Sequence, residues 1–94
     1  MSVQIDLISA IHDMVIVDIL YKGSWRTVEP HIMGINSKGN LCIRAFQTAG
    51  GSGYSWRMFL VSDIEQVAAS ENVFVAREDY NSLDTSITSV VAAV

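Results

Sequence analysis

Three arginines stand inside runs that otherwise read as apolar strands. They are Arg26 in Trp25-Arg26-Thr27-Val28, Arg44 in Ile43-Arg44-Ala45-Phe46, and Arg57 in Trp56-Arg57-Met58-Phe59. A guanidinium presents a planar fork of donors that suits phosphate and carboxylate, and it stacks on aromatic rings. One arginine per strand, with aromatics beside it, can hold an anion and a base together if the strands are neighbours. Two other readings stay open. Each arginine can pair with an acid and bridge strands structurally, Arg26 with Glu29 or Asp18, and Arg44 or Arg57 with Asp63 or Glu65. Or the three serve unrelated surface roles. His31 follows Pro30 on the same strand as Arg26 and is placed to line a pocket shared with the arginines.

The charge distribution points the same way. The chain has 94 residues and a net charge of −4. Residues 22–57 hold five bases and one acid, whereas the rest holds one base, Arg77, and nine acids. A net acidic chain is a poor general binder of nucleic acid, but a basic middle points to an anionic partner there, to solvated acidic flanks, or to both, with chance segregation of charge in a small domain as the other reading.

Catalysis and metal binding find little support in the residue types. His12 and His31 lie far apart, no nucleophile has an obvious base beside it, and the single cysteine, Cys42, permits neither an internal disulfide nor a thiolate cage. Cys42 reads as a small buried hydrophobe. The glycine-rich stretch Gly50-Gly51-Ser52-Gly53 lacks the Lys-Ser/Thr ending and following helix of a phosphate-binding loop. The expectation is a non-catalytic module with no cofactor and no metal. No apolar run reaches membrane-span length, so a cytoplasmic protein with no membrane partner is expected.

The elements that must position the arginines are mostly strands. Half the residues are hydrophobic, enough for one small core. Apolar residues at 7, 8, 11 and 14 predict a short helix over 4–12, with Ser2 as N-cap and His12 exposed in the last turn. The β-branched run 15–21 predicts a strand, ended by a turn at Gly23. A long strand follows from Trp25 to about Ile35, and Pro30 requires it to be bent, bulged or at an edge there. A turn at Gly39, a strand over 41–47, the glycine loop and a strand over 54–61 complete the middle. Alternation puts Leu41, Ile43 and Ala45 on one face, with Cys42, Arg44 and Phe46 on the other. It likewise separates Trp56 and Met58 from Arg57 and Phe59. A one-turn element capped by Ser62 and a short fifth strand over 65–68 come next. Leu83, Ile87, Val90, Val91 and Val94 are spaced for a helix begun at Ser82.

Together these pieces predict a mainly β domain: a small SH3-like or Sm-like five-stranded barrel with a short N-terminal helix and a C-terminal helix. Residues 1–81 form the barrel domain. Residues 82–94 form an apolar tail that packs on the domain or meets another chain, which makes a homo-oligomer through the tail one expectation.

Residues 8–75 resemble the WYL domain, a small Sm-like or SH3-like barrel of bacteria and phages. The resemblance rests on an aromatic-ended first strand, Ile19-Leu20-Tyr21, followed by Arg26-x-Val28-Glu29-Pro30 with Ile32. It continues through Gly39, the strand end Arg44-Ala45-Phe46, and Arg57-x-Phe59-x-x-x-Asp63-Ile64. The chain departs from the pattern at two places. Leu41-Cys42-Ile43 stands where the family's Trp-Tyr-Leu triplet falls, and Asp63 stands where a basic residue is usual. Family members usually follow a winged-helix DNA-binding domain in transcription regulators or accompany helicases and CRISPR effectors, and no such domain is in this sequence. Met1 and the compact N-terminal helix favour a free-standing protein.

The resemblance implies a ligand-sensing or nucleic-acid-binding regulatory module that takes a nucleotide or single-stranded nucleic acid. By position it implies Tyr21, Arg26, Arg44 and Arg57 as the site, with Phe46 and Phe59 as stacking or packing neighbours. The alternative expectation is a protein–protein interaction or oligomerisation module whose arginines form structural ion pairs.

Overall fold

The computed structural model describes residues 2–51, 53–81 and 85–94. Helix α1 spans Val3–Asp13. The Ser2 side chain accepts the Ile5 N–H at 3.3 Å, and Met14 ends the helix in the left-handed region at φ 52°. Leu7, Ala10 and Ile11 form its buried stripe, and His12 is exposed in its last turn.

Six strands follow: β1 (Val15–Tyr21), β2 (Ser24–Asn36), β3 (Leu41–Gly50), β4 (Ser55–Leu60), β5 (Ile64–Val73) and β6 (Ile87–Ala93). They form one sheet in the order β4-β3-β2-β1-β5, with β6 also paired to β2 and all pairings antiparallel. The outermost strands of the path, β4 and β5, do not pair with each other. The protein is therefore mainly β with one short helix, and the expected barrel is not closed.

Strand β2 organises the sheet, and Pro30 organises β2. One edge of β2 pairs with β1 up to Val28 and with β6 from Ile32 onward. Pro30 falls in the gap between them, where proline's missing N–H costs no ladder bond, and the His31 carbonyl beside it accepts the Val94 N–H at 2.9 Å. The β2–β3 register shifts between Pro30 and Ile32, so the expected bend is a bulge at His31.

The C-terminal segment corrects the sequence reading. Residues 87–93 are strand β6 and not a helix; Ser82 and Leu83 lie outside the described residues. Ile87, Thr88, Val90 and Val91 are β-branched, which suits a pleated strand better than a helix. Gly34 makes the pairing possible: a Cβ there would run into the Ser89 carbonyl oxygen and the Ile87 side chain. Two smaller corrections follow. The turn before β5 is a 3-10 helix over Val61–Asp63 with no side-chain cap, so Ser62 does not cap it. Strand β5 runs on to Val73, well past the expected 65–68.

Residues paired across antiparallel strands share a face. The inner face carries Val17 and Ile19 from β1, Val28 and Met33 from β2, Ile43 and Ala45 from β3, and Phe59 from β4. Helix α1 packs onto it through Leu7, Ala10 and Ile11, making the main core. The outer face carries a second, smaller cluster of Ile32, Cys42 and Ile87, flanked by Met58, Leu60 and Tyr80. Cys42 is fully buried there, as expected.

Candidate functional site

The register divides the three arginines between the two faces. Arg26 pairs with Ile19, and Arg57 pairs with Ala45, so both belong to the inner face. Arg44 pairs with Ile32 and Met58, on the outer face. Three guanidiniums do not meet on one surface. Tyr21 and Phe59 accompany the inner pair, whereas Phe46 and His31 lie with Arg44 on the outer side.

Arg26 is packed into the inner face. Its guanidinium lies 5.3 Å from the Tyr21 ring centroid and 5.9 Å from that of Phe59, which meet edge to face at 4.8 Å. It donates to the Gln47 amide oxygen at 3.2 Å. Gln47, fully buried, donates in turn to the carbonyls of Gly50 and Gly53 at 2.7 Å each, pinning the glycine-rich loop. That loop presses on Arg26: a Cβ at Gly51 would lie 2.8 Å from its Nη1. Among the described residues no acid pairs with Arg26. Glu29 binds Arg77, and Asp18 accepts from the Thr27 hydroxyl at 2.6 Å. Such an arginine closes one end of a core by cation–π contact and hydrogen bonding.

The outer face is built differently. After β5 the chain crosses it as a strap, residues 74–81. The Phe74 N–H donates to the Met14 carbonyl, and Phe74 is buried. Arg77 clamps the strap down. Its Nε donates to Glu29 Oε1 at 2.8 Å, and its guanidinium lies 3.6 Å from the Phe46 ring centroid. The bond to Glu29 is the main cause that raises the Arg77 pKa above its ordinary value.

His31 sits beneath the strap with no exposed surface. Its ring packs against Trp56 at 4.7 Å, Phe74 at 5.0 Å and Tyr80 at 5.1 Å. The Arg77 N–H donates to Nε2 at 3.2 Å, which leaves Nδ1 to carry the proton and donate to the Glu29 carbonyl at 2.8 Å. This is the neutral tautomer. Burial is the largest influence on its pKa and lowers it, against the raising effect of the Glu29 carbonyl. His31 is thus a buried strut of the strap.

Beside the strap, Arg44, Trp56, Asp79, Tyr80 and Asn81 line a cleft of about 180 Å³. The Trp56 Nε1–H donates to Asp79 Oδ2 at 2.9 Å, and the Trp56 and Tyr80 ring centroids are 6.2 Å apart. Arg44 donates to the Ser86 hydroxyl at 2.8 Å. A guanidinium, two aromatic rings, a carboxylate and an amide therefore converge on one opening. Of the expected site residues only Arg44 lines it. Trp56 was not expected here: the sequence reading grouped Arg44 with Arg57, and it is the β3–β4 register, Arg44 opposite Met58 and Phe46 opposite Trp56, that puts Trp56 on the Arg44 side. Asp79, Tyr80 and Asn81 come from the strap, which has no periodicity to reveal where it crosses.

Among the described residues no group of three or more His, Cys, Asp or Glu side chains is arranged to hold a metal ion. No described helix is long and apolar enough to cross a membrane. No protein-family model, curated protein or solved structure matches the chain.

Proposed function

We propose that this chain is a non-catalytic binding module, WYL-like in its use of a small β sheet, that takes a nucleotide or single-stranded nucleic acid at the outer-face cleft. The observation that carries the reading is the meeting of Arg44, Trp56, Tyr80 and Asn81 around one opening. Aromatic rings offer stacking surface to any base, about 1–3 kcal/mol per base in single-strand binders. The cleft has room for one base, with the sugar and phosphate of a nucleotide reaching its open rim. Asp79 favours the base, because a carboxylate in the lining repels phosphate and accepts from a base N–H, while Arg44 donates to a base acceptor or a rim phosphate. On this reading the module works in the cytoplasm, where such ligands occur, and regulates whatever it is joined to or meets.

The test is a titration with a short fluorescent single-stranded oligonucleotide at two salt concentrations. Binding that weakens as salt rises, and that Trp56→Ala weakens with the fold retained, supports the reading. No binding at low salt, together with none of mononucleotides, removes it.

A second reading is an interaction module whose arginines are structural. Arg26 favours it, being packed between rings, a buried amide and a glycine loop. Unchanged oligonucleotide binding in an Arg44→Met chain would favour it further.

A further inference from the structure

We infer that His31 is an acid-operated latch on the strap: on taking up a proton it releases residues 74–81 and takes the outer-face cleft apart. The latch itself stands on the geometry beneath the strap; its effect on binding rests on the cleft reading.

The closed strap has room for only one protonation state of this ring. The Arg77 main-chain N–H donates to Nε2, and a main-chain N–H can only donate, so Nε2 must stay unprotonated while the strap is down. Nδ1 already holds the proton given to the Glu29 carbonyl. A second proton has one place to go, Nε2, where it would face the Arg77 N–H donor against donor. Three charged groups face the ring: Glu29 from its own strand, and Arg77 and Asp79 from the strap. Neither carboxylate bonds it. Glu29 Oε1 accepts from Arg77 Nε, and Asp79 Oδ2 accepts from Trp56 Nε1. The other neighbours are the Trp56, Phe74 and Tyr80 rings, and the imidazole has no exposed surface. An imidazolium in this place loses one bond, gains no direct partner and has the Arg77 guanidinium nearby as a like charge.

What the latch holds down is one wall of the cleft. Asp79, Tyr80 and Asn81 come from the strap, whereas Arg44 and Trp56 come from the sheet. Tyr80 joins the two, its ring 5.1 Å from His31 and 6.2 Å from Trp56. Lifting the strap opens His31 to water, where its pKa returns towards 6.5 from the value that burial lowers. The lifted form therefore binds the proton more tightly than the closed one. At neutral pH this difference is silent. As pH falls below 6.5 the lifted form gains on the closed form by up to about tenfold per pH unit.

The experiment follows Trp56 emission from about pH 7.5 down to about pH 5, with far-UV circular dichroism alongside. A Trp25→Phe chain is used, Trp25 being 48% exposed, so that Trp56 alone reports. Binding of a rhodamine-labelled oligothymidylate is measured at each step. The expected result is a reversible change in emission below pH 6.5 with the strand signal retained, and an affinity that falls by up to about tenfold per pH unit over the same range. That fall is opposite to the general effect of acid, which makes a chain of net charge −4 less negative and so strengthens its hold on a polyanion. His31→Phe keeps a ring and His31→Gln keeps an acceptor for the Arg77 N–H. Neither titrates, so the response should vanish in both, whichever position their straps take. Asp79→Asn, which removes the carboxylate from the Trp56 indole, should keep the emission response. An emission profile flat over the range, or one that survives both His31 changes, overturns the inference. So does an affinity that stays level or rises while the emission changes. An emission response as expected, with no oligonucleotide bound at any pH, supports the latch and overturns only the cleft reading.

Discussion

Arg26 and Arg44 stand in hydrogen-bonded neighbouring strands, β2 and β3, and end on opposite faces of the sheet. Arg26 is surrounded by Tyr21, Phe59, Gln47 and the glycine loop. Arg44 lines a cleft whose other walls are aromatic, acidic and amide side chains. The same residue type in the same kind of strand thus serves two purposes, and what separates them is cover. The inner end is sealed by the protein's own loop. The outer side is crossed by a strap that leaves an opening beside it. An arginine in an apolar strand is therefore no evidence of a ligand site by itself; the evidence is whether the chain has already filled the space around it.

Substitutions at the two ends test this contrast. The largest effect is expected at the inner end. Phe59 is 1% exposed and supports Arg26, so Phe59→Ala should cost about 3–5 kcal/mol in denaturant unfolding. A loss below about 1 kcal/mol would mean that this end is not part of the core. Next comes the strap clamp. The Arg77 and Glu29 side chains are only 27% and 11% exposed, so Glu29→Gln should cost about 1–3 kcal/mol by weakening a charge-assisted bond. It should also alter Trp56 fluorescence, because the Trp56 partner Asp79 rides on the strap. Unchanged fluorescence would show that the strap is held elsewhere.

A smaller effect, visible only in acid, is expected from His31. Its folded pKa is lowered by burial from the ordinary 6.5. Between those two values the unfolded chain binds the extra proton and the folded chain does not, so stability falls as pH drops below about 6.5 and is level above it. Protonation would also remove the Nε2 acceptor that holds the Arg77 N–H. In His31→Phe this portion of the pH slope should disappear, measured as unfolding midpoints between neutral and mildly acidic pH. A slope identical to the parent chain's would assign the acid sensitivity to other groups.

Much of the fold was legible where local chemistry is unambiguous. Ser2 and the stripe at 7 and 11 mark α1, the β-branched run marks β1, and Pro30 marks the break in β2. Strand alternation already separates Trp56 from Arg57 within β4, but which of the two shares a face with Arg44 depends on register, and the register puts Arg44 opposite Met58 and not with Arg57 and Phe59. Partnering was harder to read. Arg26 and Glu29 are close in sequence, but three residues along a strand reverses the face, so Glu29 reaches Arg77 from the far strap instead. Asp18 sits opposite Thr27 and not Arg26. Residues 87–93 misled because a short apolar stretch of spacing three and four fits either a helix or a strand, and Gly34, which admits the strand, lies far away in the chain. The site was the least legible part, since Asp79, Tyr80 and Asn81 reach it only through tertiary packing.

The division of labour between the two arginines is directly measurable. The measurement is a side-by-side titration of Arg44→Met and Arg26→Met with the same labelled single-stranded oligonucleotide, with the unfolding midpoint of each recorded. The expected result is that Arg44→Met loses binding by at least ~10-fold, the scale of one lost charge-assisted contact, while Arg26→Met keeps its affinity and loses stability. Arg26→Met losing affinity with its midpoint unchanged, while Arg44→Met binds as the parent does, would contradict it.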